Sequence, residues 1–91
     1  MAKHFNIKIQ GRVHGIGLRH FLSKKAEELG ICGFVSNQAD GSVYVEAEGQ
    51  EDILQEFCNF CKKGNAWSKV TDVDIKKDAL KDFTDFSIIV E

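Results

Sequence analysis

At 91 residues, 43% of them hydrophobic, the chain has room for one domain spanning 1–91 and one core, because domains run from about 50 to 250 residues and a chain this short hides only about two-thirds of its unfolded surface. Twelve Lys and Arg against 14 Asp and Glu give a formal charge of −2, which argues against the broad cationic footprint of a nucleic-acid binder but leaves room for a local cationic pocket. The alternating amino terminus is unlike a secretory leader, no run approaches the roughly 18 apolar residues of a membrane span, and three cysteines suit a reducing compartment, so a cytoplasmic protein without nucleic-acid or membrane partners is expected.

Phe5, Ile7 and Ile9 alternate with Asn6, Lys8 and Gln10, the period of a strand with one buried face. The strand runs into a glycine-rich stretch, GRVHGIG. From Leu18 the period changes: Leu18, Leu22, Ala26 and Leu29 recur at helical spacing, with Ser23, Lys24, Lys25, Glu27 and Glu28 on the other face and Gly30 as the stop. Residues 31–37 form a short apolar run, Asp40-Gly41 signals a hairpin turn, and Val43, Val45 and Ala47 share one face of the next strand. A second helical stripe runs through Ile53, Leu54, Phe57, Cys58 and Cys61, with Glu51 and Asp52 at its start and Lys62 and Lys63 at its end, as the helix dipole favours. Gly64 ends it, residues 70–75 read as a strand, and Phe86, Ile88 and Val90 alternate as a last one.

The order is βαββαβ with an added C-terminal strand. It predicts an α+β, ferredoxin-like sandwich in which two helices cover one face of an antiparallel sheet and the other face meets solvent. That fold hosts many functions and decides little by itself.

Gly11, Gly15 and Gly17 fall within seven residues between a strand and a helix. Such a stretch can turn successive backbone N–H groups inward as a nest for an anion, with the helix start and Arg19 adding positive charge. The plainer reading is a tight turn followed by a solvated arginine. Asn37, just before the hairpin, likewise reads as a turn residue on its own.

The wording of these stretches adds information. GRVHGIGLRHF resembles the glycine-rich loop of the acylphosphatase family, with its V-Q-G-V-G-F-R-like core before the first helix. GICGFVSNQADGSVYVEAEG resembles the family's second and third strands, with G-x-x-G-x-V-x-N, a D-G turn and an alternating strand ending in glycine. The likeness is strong over residues 7–49 and looser beyond. His14 stands where Gln is common, Leu18 where Phe is usual and Phe34 where Trp is common, and KKGNAWSKV lacks the prolines often found after the second helix.

The resemblance implies hydrolysis of small acyl phosphates to carboxylate and inorganic phosphate. Arg19 would bind the phosphoryl oxygens, Asn37 would orient the attacking water, and the N–H groups of His14, Gly15, Ile16, Gly17 and Leu18 would form the oxyanion site. No cofactor or metal is implied. A good leaving group and a loose transition state make positioning and charge stabilisation sufficient, without a strong base or covalent nucleophile. A small acyl phosphate is the one partner expected, and the protein is expected to act as a monomer.

Other candidates are discounted. Cys58 and Cys61 form a C-x-x-C pair late in an apolar stripe, where core packing outweighs redox chemistry. Cys32 adds one thiol, and His4, His14 and His20 show no paired ligand spacing. His20, beside Arg19, could modulate phosphate binding but reads rather as a partly exposed helix residue, and Arg12 could add positive potential near the loop but reads rather as an exposed strand-end arginine. Two alternatives remain: an RNA-binding module of the same element order, against which the sparse aromatics and acidic charge speak, and a catalytically quiet anion-binding relative.

Overall fold

The computed structural model describes residues 2–13 and 17–89. Across these residues the chain runs β1 (Ala2–Arg12), α1 (Leu18–Leu29), β2 (Cys32–Asn37), β3 (Val43–Gln50), α2 (Glu51–Lys63), β4 (Lys69–Asp78) and β5 (Phe86–Ile89). The strands form a five-stranded sheet in the order β4-β1-β3-β2-β5. The element order and the ferredoxin-like arrangement are those expected. Val90, expected to continue the last strand, lies outside the described residues.

The alternating residues of the strands form the core. Phe5, Ile7 and Ile9 of β1, Val35 of β2, and Val43, Val45 and Ala47 of β3 are buried together with Leu18, Leu22, Ala26, Leu54, Phe57, Cys58 and Cys61 of the two helices. Helix α1 ends at Gly30, whose N–H bonds back to the Ala26 and Glu27 carbonyls, and α2 carries Glu51 and Asp52 in its first turn and Lys62 and Lys63 in its last.

Four expectations need correction. The sheet is mixed rather than antiparallel: β5 runs parallel to β2, with Gly33 opposite Phe86 and Ser36 opposite Ile89, because residues 79–85 carry the chain back across the sheet before it pairs. That crossing also covers part of the face expected to meet solvent. Glu46 and Glu48 on it are 7% exposed and His4 is 1% exposed, with the Lys81 and Phe83 N–H groups donating to the Glu48 carboxylate. Ser23, placed on the polar side of α1 by its spacing, is buried. Gly11, read with the loop, belongs to β1. The β1–β4 register shifts between Gln10 and Gly11, Gly11 has φ of 127°, and a Cβ there would stand 2.1 Å from the Lys69 carbonyl oxygen. A β-bulge, not an anion, accounts for this glycine.

Candidate active site

Both β1 and β2 pair antiparallel with β3, so they run in the same direction with β3 between them. Their carboxyl ends therefore lie at one edge of the sheet. Ile9 and Asn37 both stand opposite Val43, which sets Asn37 level with a residue three positions before the end of β1 at Arg12. The chain leaving β1 at that edge enters α1 within a few residues, bringing the first turn of the helix beside Asn37. Parallel pairing of β5 with β2 sets Ile89 next to Ser36 at the same edge.

This geometry creates a cavity of about 180 Å³ lined, among the described residues, by Val13, Gly17, Leu18, Arg19, His20 and Asn37. Gly17 caps α1 with φ of 77° and ψ of 10°, a left-handed conformation that costs a residue with a Cβ about 1–2 kcal/mol. Its carbonyl accepts the Phe21 N–H at 3.0 Å. Leu18 points into the core at 1% exposure and anchors the first turn, so that Arg19, one position on, faces the cavity.

Arg19 is half-buried. Its guanidinium donates to the Ile89 carbonyl at 3.5 Å, and among the described residues it forms no ion pair. The cation thus keeps most of its donors for something else.

Asn37 ends β2, and its side chain is not used by the hairpin. The turn is built by other groups: Gln38 N–H donates to the Ser42 carbonyl at 2.8 Å, and the Asp40 carboxylate accepts the Ser42 N–H at 3.0 Å and the Ser42 hydroxyl at 2.6 Å. Those two bonds, with Lys8 at 3.0 Å, hold the Asp40 carboxyl well below the usual carboxylate range. The Asn37 Oδ1 is buried and takes no hydrogen bond from any described residue. A buried acceptor left in that state requires an explanation, and a bound water or ligand is the ordinary one.

The acylphosphatase family model matches residues 5–88. The chain belongs to the acylphosphatase family. Curated acylphosphatases are similar over nearly their whole length: that of Thermotoga maritima is 38% identical over 94% of this chain and 96% of its own, and that of Caldanaerobacter subterraneus 41% identical over 91% and 97%. The crystal structure of acylphosphatase from Bacillus subtilis superposes with a TM-score of 0.94 at 37% identity, covering 99% of this chain and 100% of that one.

Of the seven positions expected to form the site, the structure brings Gly17, Leu18, Arg19 and Asn37 to one cavity. His14, Gly15 and Ile16 lie outside the described residues. His20, read as a partly exposed helix residue, is exposed and lines that cavity. Its place next to Arg19 in the first turn was the one signal available. Arg12 is an exposed strand-end residue, as expected.

The thiols contribute no chemistry here. Cys58 and Cys61 are buried in the core, where burial pushes the Cys58 thiol up to about 11 and Cys61 well above its ordinary value. Among the described residues no group of three or more His, Cys, Asp or Glu is arranged to hold a metal ion, and no described helix is long and apolar enough to cross a membrane.

Proposed function

We propose that the protein hydrolyses the carboxyl–phosphate bond of small acyl phosphates to a carboxylate and inorganic phosphate. The observation that carries this reading is the convergence on one cavity of a guanidinium free of ion pairs among the described residues and a buried amide oxygen that no described residue satisfies. Membership of the acylphosphatase family supports it.

In this reading Arg19 binds the phosphoryl oxygens, which its planar fork matches with paired hydrogen bonds. Asn37 Oδ1 accepts a hydrogen bond from a water and aims the water's lone pair at phosphorus. As the water oxygen bonds to phosphorus, the bond from phosphorus to the acyl oxygen breaks and its electron pair leaves with the carboxylate. The water's proton passes to solvent or a phosphate oxygen. Asn37 orients without titrating, and a carboxylate leaving group needs no strong acid. The N–H groups of His14, Gly15, Ile16, Gly17 and Leu18 complete the oxyanion site, beside the positive end of α1.

An RNA-binding reading draws no support from the sheet. The one aromatic of β3, Tyr44, donates its hydroxyl to Glu46 at 2.8 Å and packs on Phe34 of β2, and the acidic face around it is crossed by residues 79–85. The experiment is hydrolysis of benzoyl phosphate by purified protein with a chelator present. Turnover above the spontaneous rate, lost in Arg19→Ala, is the expected result; its absence in the intact protein would refute the reading.

A further inference from the structure

Glu48 lies toward the end of the sheet away from the cavity. On β3 it comes five residues after Val43, which stands opposite Asn37, a distance of about 17 Å along an antiparallel strand. The proposed reaction gives it no part. Yet it is buried, and its carboxylate holds three partners: the Lys81 N–H, the Phe83 N–H at 2.9 Å and the His4 imidazole at 2.7 Å. The first two belong to the segment that crosses the sheet, and the Lys81 ammonium adds a bond to Glu46 at 2.8 Å.

That segment leads directly into β5. The Asp85 carbonyl accepts the Gly33 N–H at 2.7 Å, and β5 then runs beside β2 until Ile89 stands opposite Ser36. There it meets the site. Asn37 follows Ser36 on β2, and the Ile89 carbonyl accepts the Arg19 guanidinium at 3.5 Å, the one hydrogen bond which that group makes among the described residues. The last described residue of β5 therefore touches one of the two side chains the reaction needs in fixed relation and is paired with the neighbour of the other. A short edge strand with alternate residues exposed opens at low cost. Its apolar contacts, such as Phe86 edge-on to Phe57, are non-directional. Its place along β2 is set by the hydrogen bonds at its start.

We propose that Glu48 is a positioning residue for Arg19: by pinning residues 81 and 83 it fixes where β5 begins, and through the Ile89 carbonyl it fixes the direction of the guanidinium. This rests on the reading of the cavity as the phosphoryl site. Glu48 touches neither the substrate nor the reacting atoms.

Arg12 and Arg19 are the arginines of the chain, so nitrogen-15 relaxation of the guanidinium Nε–H groups follows Arg19 directly, with the exposed Arg12 as reference. In the intact protein the Arg19 signal, assigned by its loss in Arg19→Lys, should be the more ordered of the two on the picosecond to nanosecond scale. Glu48→Gln keeps the shape of the side chain but replaces one acceptor oxygen by a donor. It should bring the order of Arg19 down toward that of Arg12 while the backbone amides of α1 keep theirs. At a temperature where the variant is fully folded, kcat/KM for benzoyl phosphate should fall about threefold to tenfold, the scale of a small misplacement of a reacting group. Wild-type order at Arg19 in this variant would overturn the proposal, and so would a lowered rate without loss of that order, which would leave Glu48 a structural role alone. Should Glu48→Gln not fold, Lys81→Met, which removes only the bond to Glu46, is expected to loosen Arg19 in the same direction by less, and its failure to do so counts equally against the proposal. Failure of the site reading looks different: Arg19→Ala would then hydrolyse benzoyl phosphate at the wild-type rate, whatever the order measured in Glu48→Gln.

Discussion

His4 and Glu48 sit directly opposite each other on β1 and β3, and the imidazole Nδ1 meets the Glu48 carboxylate at 2.7 Å beneath the chain that crosses the sheet. The other ring nitrogen faces the Asn6 amide oxygen at 2.7 Å and Glu46 at 3.1 Å. Phe83 stacks over the ring, with centroids 5.9 Å apart. Both Glu48 oxygens also accept N–H groups of the crossing segment, from Lys81 and Phe83, so one carboxylate ties a strand histidine to the connection leading into β5.

This pair sets an acid limit on stability. Burial alone would raise the Glu48 carboxyl, but the Lys81 N–H, the His4 ring and the Phe83 N–H outweigh it and hold the group below its ordinary 4.5. Glu46 is lowered in the same way, with burial outweighed by Lys81 and Tyr44. A depressed folded-state value gives stability that is present in full above the unfolded-state value and lost as pH falls through the folded one. Urea midpoints should therefore hold steady near neutrality and decline below about pH 4.5. Glu48→Gln should flatten that decline, and a decline of wild-type steepness in the variant would contradict the assignment.

Removing one partner costs more than titrating it. Glu48→Ala leaves the Nδ1 of a buried imidazole and two part-buried N–H groups of the crossing segment without their acceptor, and should cost about 3 kcal/mol in urea unfolding. A loss under about 1 kcal/mol would show that the segment is held mainly by the Phe83 ring against His4 and Phe34.

Arg19→Ala and Asn37→Ala should each lower kcat/KM for benzoyl phosphate by about 10² to 10³ or more, the usual cost of one lost transition-state donor or positioning group. Circular dichroism of both should remain native, because neither side chain lies in the apolar core. Arg19→Lys should recover little, since a lysine cannot reproduce the paired geometry. Wild-type rates in either alanine variant would remove that residue from the mechanism.

Gly17→Ala separates backbone from side-chain effects. An added Cβ meets nothing closer than Asn65 Nδ2 at 3.9 Å, so the cost is conformational, about 1–2 kcal/mol for the left-handed position. Activity should fall further than that loss of stability explains at a temperature where the variant is folded, because the residue caps the helix that presents Arg19. Unchanged kcat with lowered stability would limit Gly17 to a structural role.

The thiols give a simple check on the core. With burial pushing Cys58 up to about 11 and Cys61 higher, both should resist a thiol reagent at pH 8 in the native state and react once urea unfolds the chain. Rapid native labelling of either would contradict their placement.

The residues that repeat with a local period were legible in the sequence. Phe5, Ile7 and Ile9, the stripe from Leu18 to Ala26, and the Asp40-Gly41 turn each state a local geometry, because side-chain direction in a strand or helix follows from spacing alone. The glycine-rich wording before Arg19 and the pattern ending at Asn37 carried the resemblance to the family. What spacing cannot report is which distant groups meet. Gly11 looked like part of a loop until β4 lay beside it, and Glu46 and Glu48 looked solvent-facing because nothing local says that residues 79–85 return over them. The parallel pairing of β5 depends on that same return. Asn37 and Arg19 share a cavity because β1 and β2 run the same way on either side of β3, and His20 joins the wall of that cavity only through the same convergence. Local periodicity determined the elements and their buried faces; strand direction and register, fixed by long-range pairing, decided which side chains meet at the site.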